Sequence, residues 1–293
     1  MNFIKSLFNE MLIIVIVVPI IIIGFFVYRK VQRNKAARAE TERKRRIQEE
    51  ANAKIEEYRR ESAERERKAK EIRERKEREK EREIEEAIRS NPGSEKYRLN
   101  YTQTESSVDM MNITTFTPIS KQRYVAFDLE TTGLKHNADA IVEIGAVRVE
   151  NGEITEEFHQ FIDPERPMPA EVSAINHITD DMLTGMPKIH QVLPAFLAFI
   201  GDDVIAAHNA SFDYRFIAQQ CMRNRFRIPE KIFDTMTMAK YWPEAENRKL
   251  TSLAAAACIP AENAHHALDD AKMVAGLIAA TNKRRAESRK RKS

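Results

Sequence analysis

The 293-residue chain has only two cysteines, Cys221 and Cys258, and neither lies in a C-x-x-C pair or a metal-ligand spacing. That scarcity excludes a disulfide framework and a cysteine-built zinc site, and it points to a reducing compartment with buried or inert thiols. Charge is missing from residues 11–28, and no small-x-small cleavage site follows them. A sustained heptad is missing too. Ile47, Ile55, Tyr58, Ile72, Ile84 and Ile88 are too sparse and irregular for an a/d seam. A stable coiled coil is therefore disfavoured.

What is present falls into five stretches. Met11–Tyr28, helped by Phe3, Leu7 and Phe8, approaches the ~20 apolar residues that span a bilayer. It exceeds the ~7–15 residues usual for the apolar part of a signal peptide. Residues 1–30 are expected to be an uncleaved membrane anchor, a single transmembrane helix. Arg29, Lys30, Arg33, Lys35 and Arg38 crowd its C-terminal flank. The positive-inside rule then places the N-terminus outside and the remainder in the cytoplasm, as in a bacterial inner membrane.

Residues 31–90 are almost solid Glu, Arg and Lys, with opposite charges three and four apart in blocks such as Glu64-Arg65-Glu66-Arg67-Lys68. The spacing predicts a solvated helix ~90 Å long at 1.5 Å per residue, with a weak homodimer as the alternative. Asn91-Pro92-Gly93-Ser94 stops it, and residues 91–120 read as a flexible linker. Residues 283–293 form a basic tail, suited to a disordered arm for nucleic acid or a membrane surface. Between them, residues 121–282 contain 15 Lys+Arg and 23 Asp+Glu. The globular part is thus acidic by 8, and the basic excess lies in the flanks.

The globular part opens with Tyr124-Val-Ala-Phe-Asp128-Leu-Glu130-Thr-Thr-Gly133, an apolar strand ending in two carboxylates at i and i+2. Alternation puts Asp128 and Glu130 on one face. Their repulsion is relieved by a divalent cation with a preference for carboxylate oxygen, such as magnesium or manganese. An acidic edge strand with both groups solvated is the competing reading. Further strands are expected at 140–149 and 154–162, joined by an Asn151-Gly152 turn, then at 204–207 and around 232–234. Helices are expected from Asp180, over 187–200, from a Ser211 cap to 225, and over 235–241, 250–257 and 265–280. This order gives an α/β domain built on a mixed sheet with helices on its faces.

Two more acids belong to helix starts, Asp213 in His208-Asn-Ala-Ser-Phe-Asp213 and Asp270 in His265-His-Ala-Leu-Asp-Asp270. Each alone is an ordinary helix-start acid favoured by the dipole. Taken together, Phe-Asp-x-Glu-Thr-Thr-Gly, His-Asn-Ala-x-Phe-Asp and His-x4-Asp resemble the DEDDh family of 3′-to-5′ exonucleases over residues 121–280. Phe233-Asp234-Thr235 and Lys249-Leu250-x-x-Leu253-Ala254 agree with that family.

The resemblance implies an RNase H-like five-stranded sheet and phosphodiester hydrolysis with two Mg2+ or Mn2+ ions. Asp128, Glu130, Asp213 and Asp270 would be the ligands, with Asp128 between both ions. Spacing alone leaves His265 and His266 as candidates for the general base, and the His-x4-Asp pattern selects His265; imidazole exchanges a proton near neutral pH. His208 is a rival ligand whose place resembles a structural position. Thr131, Thr132, Gly133, Leu134 and Asn209 would contact the terminal nucleotide. Ile175-Asn176-His177-Ile178-Thr179 departs from the family's Ile-His-Gly-Ile-Thr, so contacts from that loop do not carry over. The expected function is membrane-anchored removal of nucleoside monophosphates from single-stranded DNA or RNA. The alternatives are a silent nucleic-acid-binding scaffold and an oligonucleotide-specific phosphodiesterase.

Overall fold

The computed structural model describes residues 18–99, 123–227, 229–261 and 265–291. The chain divides into two compact units, residues 1–76 and 77–293. Helix α1 (Val18–Ser90) supplies all the described residues of the first unit and the opening turns of the second. Within residues 18–76 every described side chain is exposed. Ion pairs one turn apart, such as Lys44–Glu40 at 2.8 Å and Lys68–Glu64 at 2.7 Å, line this part of the helix. Pairs of this kind support a helix by only about 0.2–0.5 kcal/mol each.

Among the described residues no helix is long and apolar enough to cross a membrane. The first part of the apolar run, 11–17, lies outside the described residues. The remainder, Val18–Tyr28, is helical, with Ile20, Ile23 and Phe26 more than three-fifths exposed.

The second unit is built on a five-stranded sheet: β1 (Arg123–Thr131), β2 (Ile141–Glu150), β3 (Glu153–Phe161), β4 (Ile205–Ala207) and β5 (Ile232–Asp234), in the order β3-β2-β1-β4-β5. The first three are antiparallel, while β4 pairs parallel with β1 and β5 with β4. The β2–β3 turn requires positive φ at both central residues, and Asn151 (54°) and Gly152 (92°) supply it.

Around the sheet stand α2 (Ala170–Asn176), α3 (Asp180–Leu183), α4 (Ile189–Ile200), α5 (Ser211–Arg223), α6 (Leu250–Ala256) and α7 (Ala267–Lys290), with a 3-10 helix over Thr235–Tyr241. Strand β1 is buried on both faces. Val125, Phe127 and Leu129 pack with Val192, Phe196 and Leu197 of α4, while Tyr124 and Ala126 pack with Val274, Ala275 and Ile278 of α7.

Three boundaries differ from expectation. The last turns of α1 are not a solvated spacer, because Ile84 is 1% exposed in the main core and Ile88 packs beside it. Isoleucines at i and i+4 share one helix face, and that short stripe is enough to dock it. Glu83 adds a 2.7 Å contact to His190, and Glu81 an ion pair to Arg98. Nor is the chain a linker from residue 91. Pro92–Tyr97 is a 3-10 helix with Ser94 and Tyr97 buried, and Leu99 N–H donates to the Arg225 carbonyl at 2.8 Å. The rest of that expected linker, 100–122, lies outside the described residues. The basic tail, finally, continues α7 to Lys290 instead of leaving the domain.

Smaller corrections follow. Ser211 is the first helical residue of α5 and makes no capping bond. Helix α2 is not among the helices expected from the sequence. Cys221 is buried, but Cys258 is exposed.

Candidate active site

Because alternate residues of a strand face the same way, Asp128 and Glu130 continue the Tyr124–Ala126 face that α7 covers. In the ladder Asp128 stands opposite Gly145 and Glu130 opposite Glu143. A Cβ at Gly145 would lie 2.1 Å from the backbone carbon of Ala267, the first residue of α7. The missing side chain lets the helix start against the sheet, beside the two acids. Glu143 fastens it there: one carboxylate oxygen accepts the Ala267 N–H at 3.1 Å, and the other lies 2.7 Å from His159 Nε2. A carboxylate at a helix N-terminus is favoured by the dipole and the orphan N–H groups.

That start places Asp270 in the first turn of α7, with its N–H on the His266 carbonyl at 2.9 Å. Asp270 in turn accepts the His265 N–H at 3.3 Å. Glu130, His265 and Asp270 each offer a ligand atom, all within 4.8 Å of one another. His266 is instead the residue before the first turn of α7, on extended backbone. Asp213 comes from the first turn of α5, just beyond β4, which lies parallel beside β1. Its side chain is 3% exposed.

The electrostatics reflect this crowding. Burial, followed by the charges of Asp213, Asp270, Glu130 and Glu143, holds the Asp128 carboxyl well above the usual carboxylate range. Asp213 is raised by burial, against backbone hydrogen bonds that pull it down. Burial pushes Glu130 up to about 8, opposed by the hydrogen bond from Asn176. Asp270 rises to about 6, again mainly through burial, with the His265 backbone opposing. Carboxyls raised in this way gain most from a cation that replaces their lost hydration.

The structure separates the remaining sequence candidates. Thr131 and Thr132 are buried, and their hydroxyls hold the turn: Thr131 donates to the Gly133 carbonyl at 2.7 Å, and Thr132 accepts the Ala140 N–H at 2.9 Å. Gly133 lies over the Asp139 carboxylate, which a Cβ would meet at 2.5 Å. Leu134 is 83% exposed. Asn209 is exposed, with a φ of 57°, and its N–H donates to Asp234 at 3.1 Å. Both ring nitrogens of His208 are engaged, with the Thr235 hydroxyl at 3.0 Å and the Arg248 carbonyl at 2.7 Å. His208 is thereby a fastening between segments.

Three residues are not recognisable as functional from the sequence. Glu143 and Gly145 carry only one signal, an acid and a glycine inside a mostly apolar strand, and His159 on the polar β3 carries none. Asn176, at the departure from the family pattern, is buried and donates to Glu130 at 3.2 Å.

A family model described as Exonuclease (RNase_T) matches residues 125–278, more than half of the chain. The chain belongs to the exonuclease family. This exonuclease domain is 40% identical over 156 residues to the PolC-type DNA polymerase III of Clostridium perfringens, covering 53% of this chain and 11% of that one. It is 36% identical over 163 residues to the PolC-type DNA polymerase III of Bacillus subtilis, covering 55% of this chain and 11% of that one. The chain therefore spans about a tenth of the length of the curated relatives it matches. The fold of the matched part is similar to that of E. coli exonuclease I, solved with single-stranded DNA and zinc, at a TM-score of 0.51 and 18% identity over 56% of this chain and 41% of that one.

Enzymes of this family depend on divalent metal, and the donor set here fits one. Carboxylates dominate, with one imidazole, and the buried Oδ1 of Asp270 has no hydrogen-bond partner. Such a set suits magnesium or manganese better than zinc.

Proposed function

We propose that the chain is a membrane-tethered DEDDh exonuclease that shortens single-stranded DNA or RNA from the 3′ end and releases nucleoside monophosphates. The observation that carries this reading is the convergence of Glu130, His265 and Asp270 within 4.8 Å, on the face that Asp128 shares. Asp128, Glu130, Asp213 and Asp270 would hold two Mg2+ or Mn2+ ions, which supply positive charge to the attacked phosphate and its leaving oxygen.

The protein's own part is to place groups. Asn176 fixes the Glu130 carboxylate by its Nδ2–H. Glu143 and Gly145 set the start of α7, and with it Asp270. His265, held by its backbone N–H on Asp270, takes the proton from the attacking water. Exposed Leu134, on the turn behind Glu130, meets the terminal base. A silent scaffold has no use for four raised carboxyls packed together, which cost stability without a cation to neutralise them.

The tether rests on the uncharged run whose described part, Val18–Tyr28, is helical and exposed. The cytoplasmic placement follows from the basic residues after it.

Incubating the full chain with 3′-labelled single-stranded DNA and RNA tests the activity, with Mg2+, Mn2+ or EDTA and with Asp128→Ala. Stepwise mononucleotide release that needs metal and Asp128 is expected. Folded, metal-loaded protein that leaves both polymers and short oligonucleotides intact would sink the reading.

A further inference from the structure

The charge of the second unit is segregated. Residues 121–282 are acidic by 8, whereas residues 283–293 hold seven Lys+Arg and one Glu. This basic run is built into the fold. Arg284 lies over the Trp242 ring at 4.5 Å and pairs with Glu244, and Arg285 lies over Tyr241 at 5.1 Å, where Lys240 also stands at 5.3 Å. Trp242 is itself anchored, its Nε1–H donating to Thr281 at 2.8 Å. Lys283, Arg289 and Arg291 are exposed. Compensation of the helix dipole explains cations in the last turn. The run begins about one turn before that, at Lys283, so the dipole does not account for all of it.

From these observations we infer that the last turns of α7 are a phosphate-binding surface for the body of a nucleic-acid strand. This rests on the exonuclease reading, which puts the strand's 3′ end at Asp270, in the first turn of the same helix. Arg284 is committed to Glu244, whereas the Arg285 guanidinium, held over Tyr241, is pre-organised for phosphate oxygens. Arg289 lies about 28 Å along the helix from Asp270 at 1.5 Å per residue, about eight nucleotides of a stacked strand at 3.4 Å each. The surface therefore engages polymers and leaves the shortest substrates untouched. It also supplies attraction where the acidic domain would repel.

The test compares the full chain with the Lys283→Gln/Arg285→Gln/Arg289→Gln/Arg291→Gln variant, which keeps Arg284 on Trp242. Binding of a 30-nucleotide single strand is read by fluorescence anisotropy in EDTA, so that no turnover intervenes. Affinity should fall about tenfold or more, and the slope of log K against log salt should become shallower by about 0.7 for each phosphate that is no longer neutralised. Hydrolysis of a trinucleotide, read separately with metal, should stay within twofold of the unaltered chain. Unchanged affinity and salt slope on the long strand would overturn the inference. Equal losses on long and short substrates would overturn it too, since they mark damage to the active site. So would loss of binding to phosphatidylglycerol vesicles with the long strand unaffected, because the surface would then serve a membrane. Absence of hydrolysis by the unaltered chain would count against the exonuclease reading alone, because the anisotropy result stands without turnover.

Discussion

Glu143 lies directly across the β1–β2 ladder from Glu130, two acids in register at the edge of the same site. The pair persists because they have different partners. Glu130 receives Asn176, while Glu143 is committed to the N-terminus of α7 and to His159. Glu130 is left facing His265 and Asp270, and Glu143 holds the helix that brings Asp270.

Glu143→Ala should therefore lower stability by about 1–3 kcal/mol, the cost of leaving a buried donor without its partner. Activity should fall further than stability explains, because the start of α7 loses its fastening. Denaturant unfolding beside single-turnover rates checks this. A loss of stability with full activity in the remaining folded fraction would contradict it.

Gly145→Ala is expected to be the more damaging change. The added methyl meets backbone of Ala267 and Leu268 at 2.1 Å, and backbone yields less readily than the end of a side chain. Overpacking costs about 1–3 kcal/mol where side chains can yield, and more is expected here. Manganese affinity, read by titration calorimetry, should drop with it. Unaltered manganese binding would show that α7 does not depend on this contact.

In metal-free protein the raised carboxyls make stability fall as pH rises. Glu130 keeps its proton up to about pH 8 and Asp270 up to about 6, whereas unfolded carboxyls release theirs near pH 4. Between those limits the folded state binds more protons than the unfolded state, so unfolding becomes easier as pH rises. Melting temperatures in EDTA should decline from pH 5 to 8, less steeply for Glu130→Gln, and Mg2+ should restore them most at the alkaline end. Parallel slopes for the two proteins would refute the assignment to Glu130.

How much of this was legible in the sequence depended on the kind of signal. Asp128 and Glu130 are a local pattern, since alternation along one strand decides their shared face. The Asn151-Gly152 turn is equally local, since a two-residue turn joins neighbouring antiparallel strands, here β2 and β3. Contacts distant in sequence were not legible. Nothing around Glu143 names Ala267, 124 positions away, as its partner. The polar helix up to Ser90 looked solvated because its docking stripe is two isoleucines in a long charged run. The sequence places Thr131 and Thr132 at a turn, but not the Gly133 carbonyl and the Ala140 N–H as the partners of their hydroxyls.

The docked stripe has a practical result. A fragment beginning at residue 115 would keep the whole family match yet expose the core that Ile84 and Tyr97 cover. A fragment from Glu77 should unfold cooperatively, while the shorter one should be less stable by several kcal/mol, since Ile84→Ala alone is expected to cost about 2–5 kcal/mol. Equal unfolding midpoints for the two fragments would show that the segment is dispensable.

His159 gives the outermost strand a role that its exposure conceals. Strand β3 forms a rim of the sheet, and five of its first six positions face solvent, where substitutions are usually tolerated. Three positions are exceptions: Glu156 pairs with the buried Arg148, Glu157 pairs with Lys272 of α7 at 3.0 Å, and the His159 ring holds the acid that starts α7. Sequence drift along this rim should therefore be wide but punctuated. A change at Glu153 or Thr155 alters only the surface, whereas one at His159, two strands away from β1, reaches through Glu143 to the start of α7.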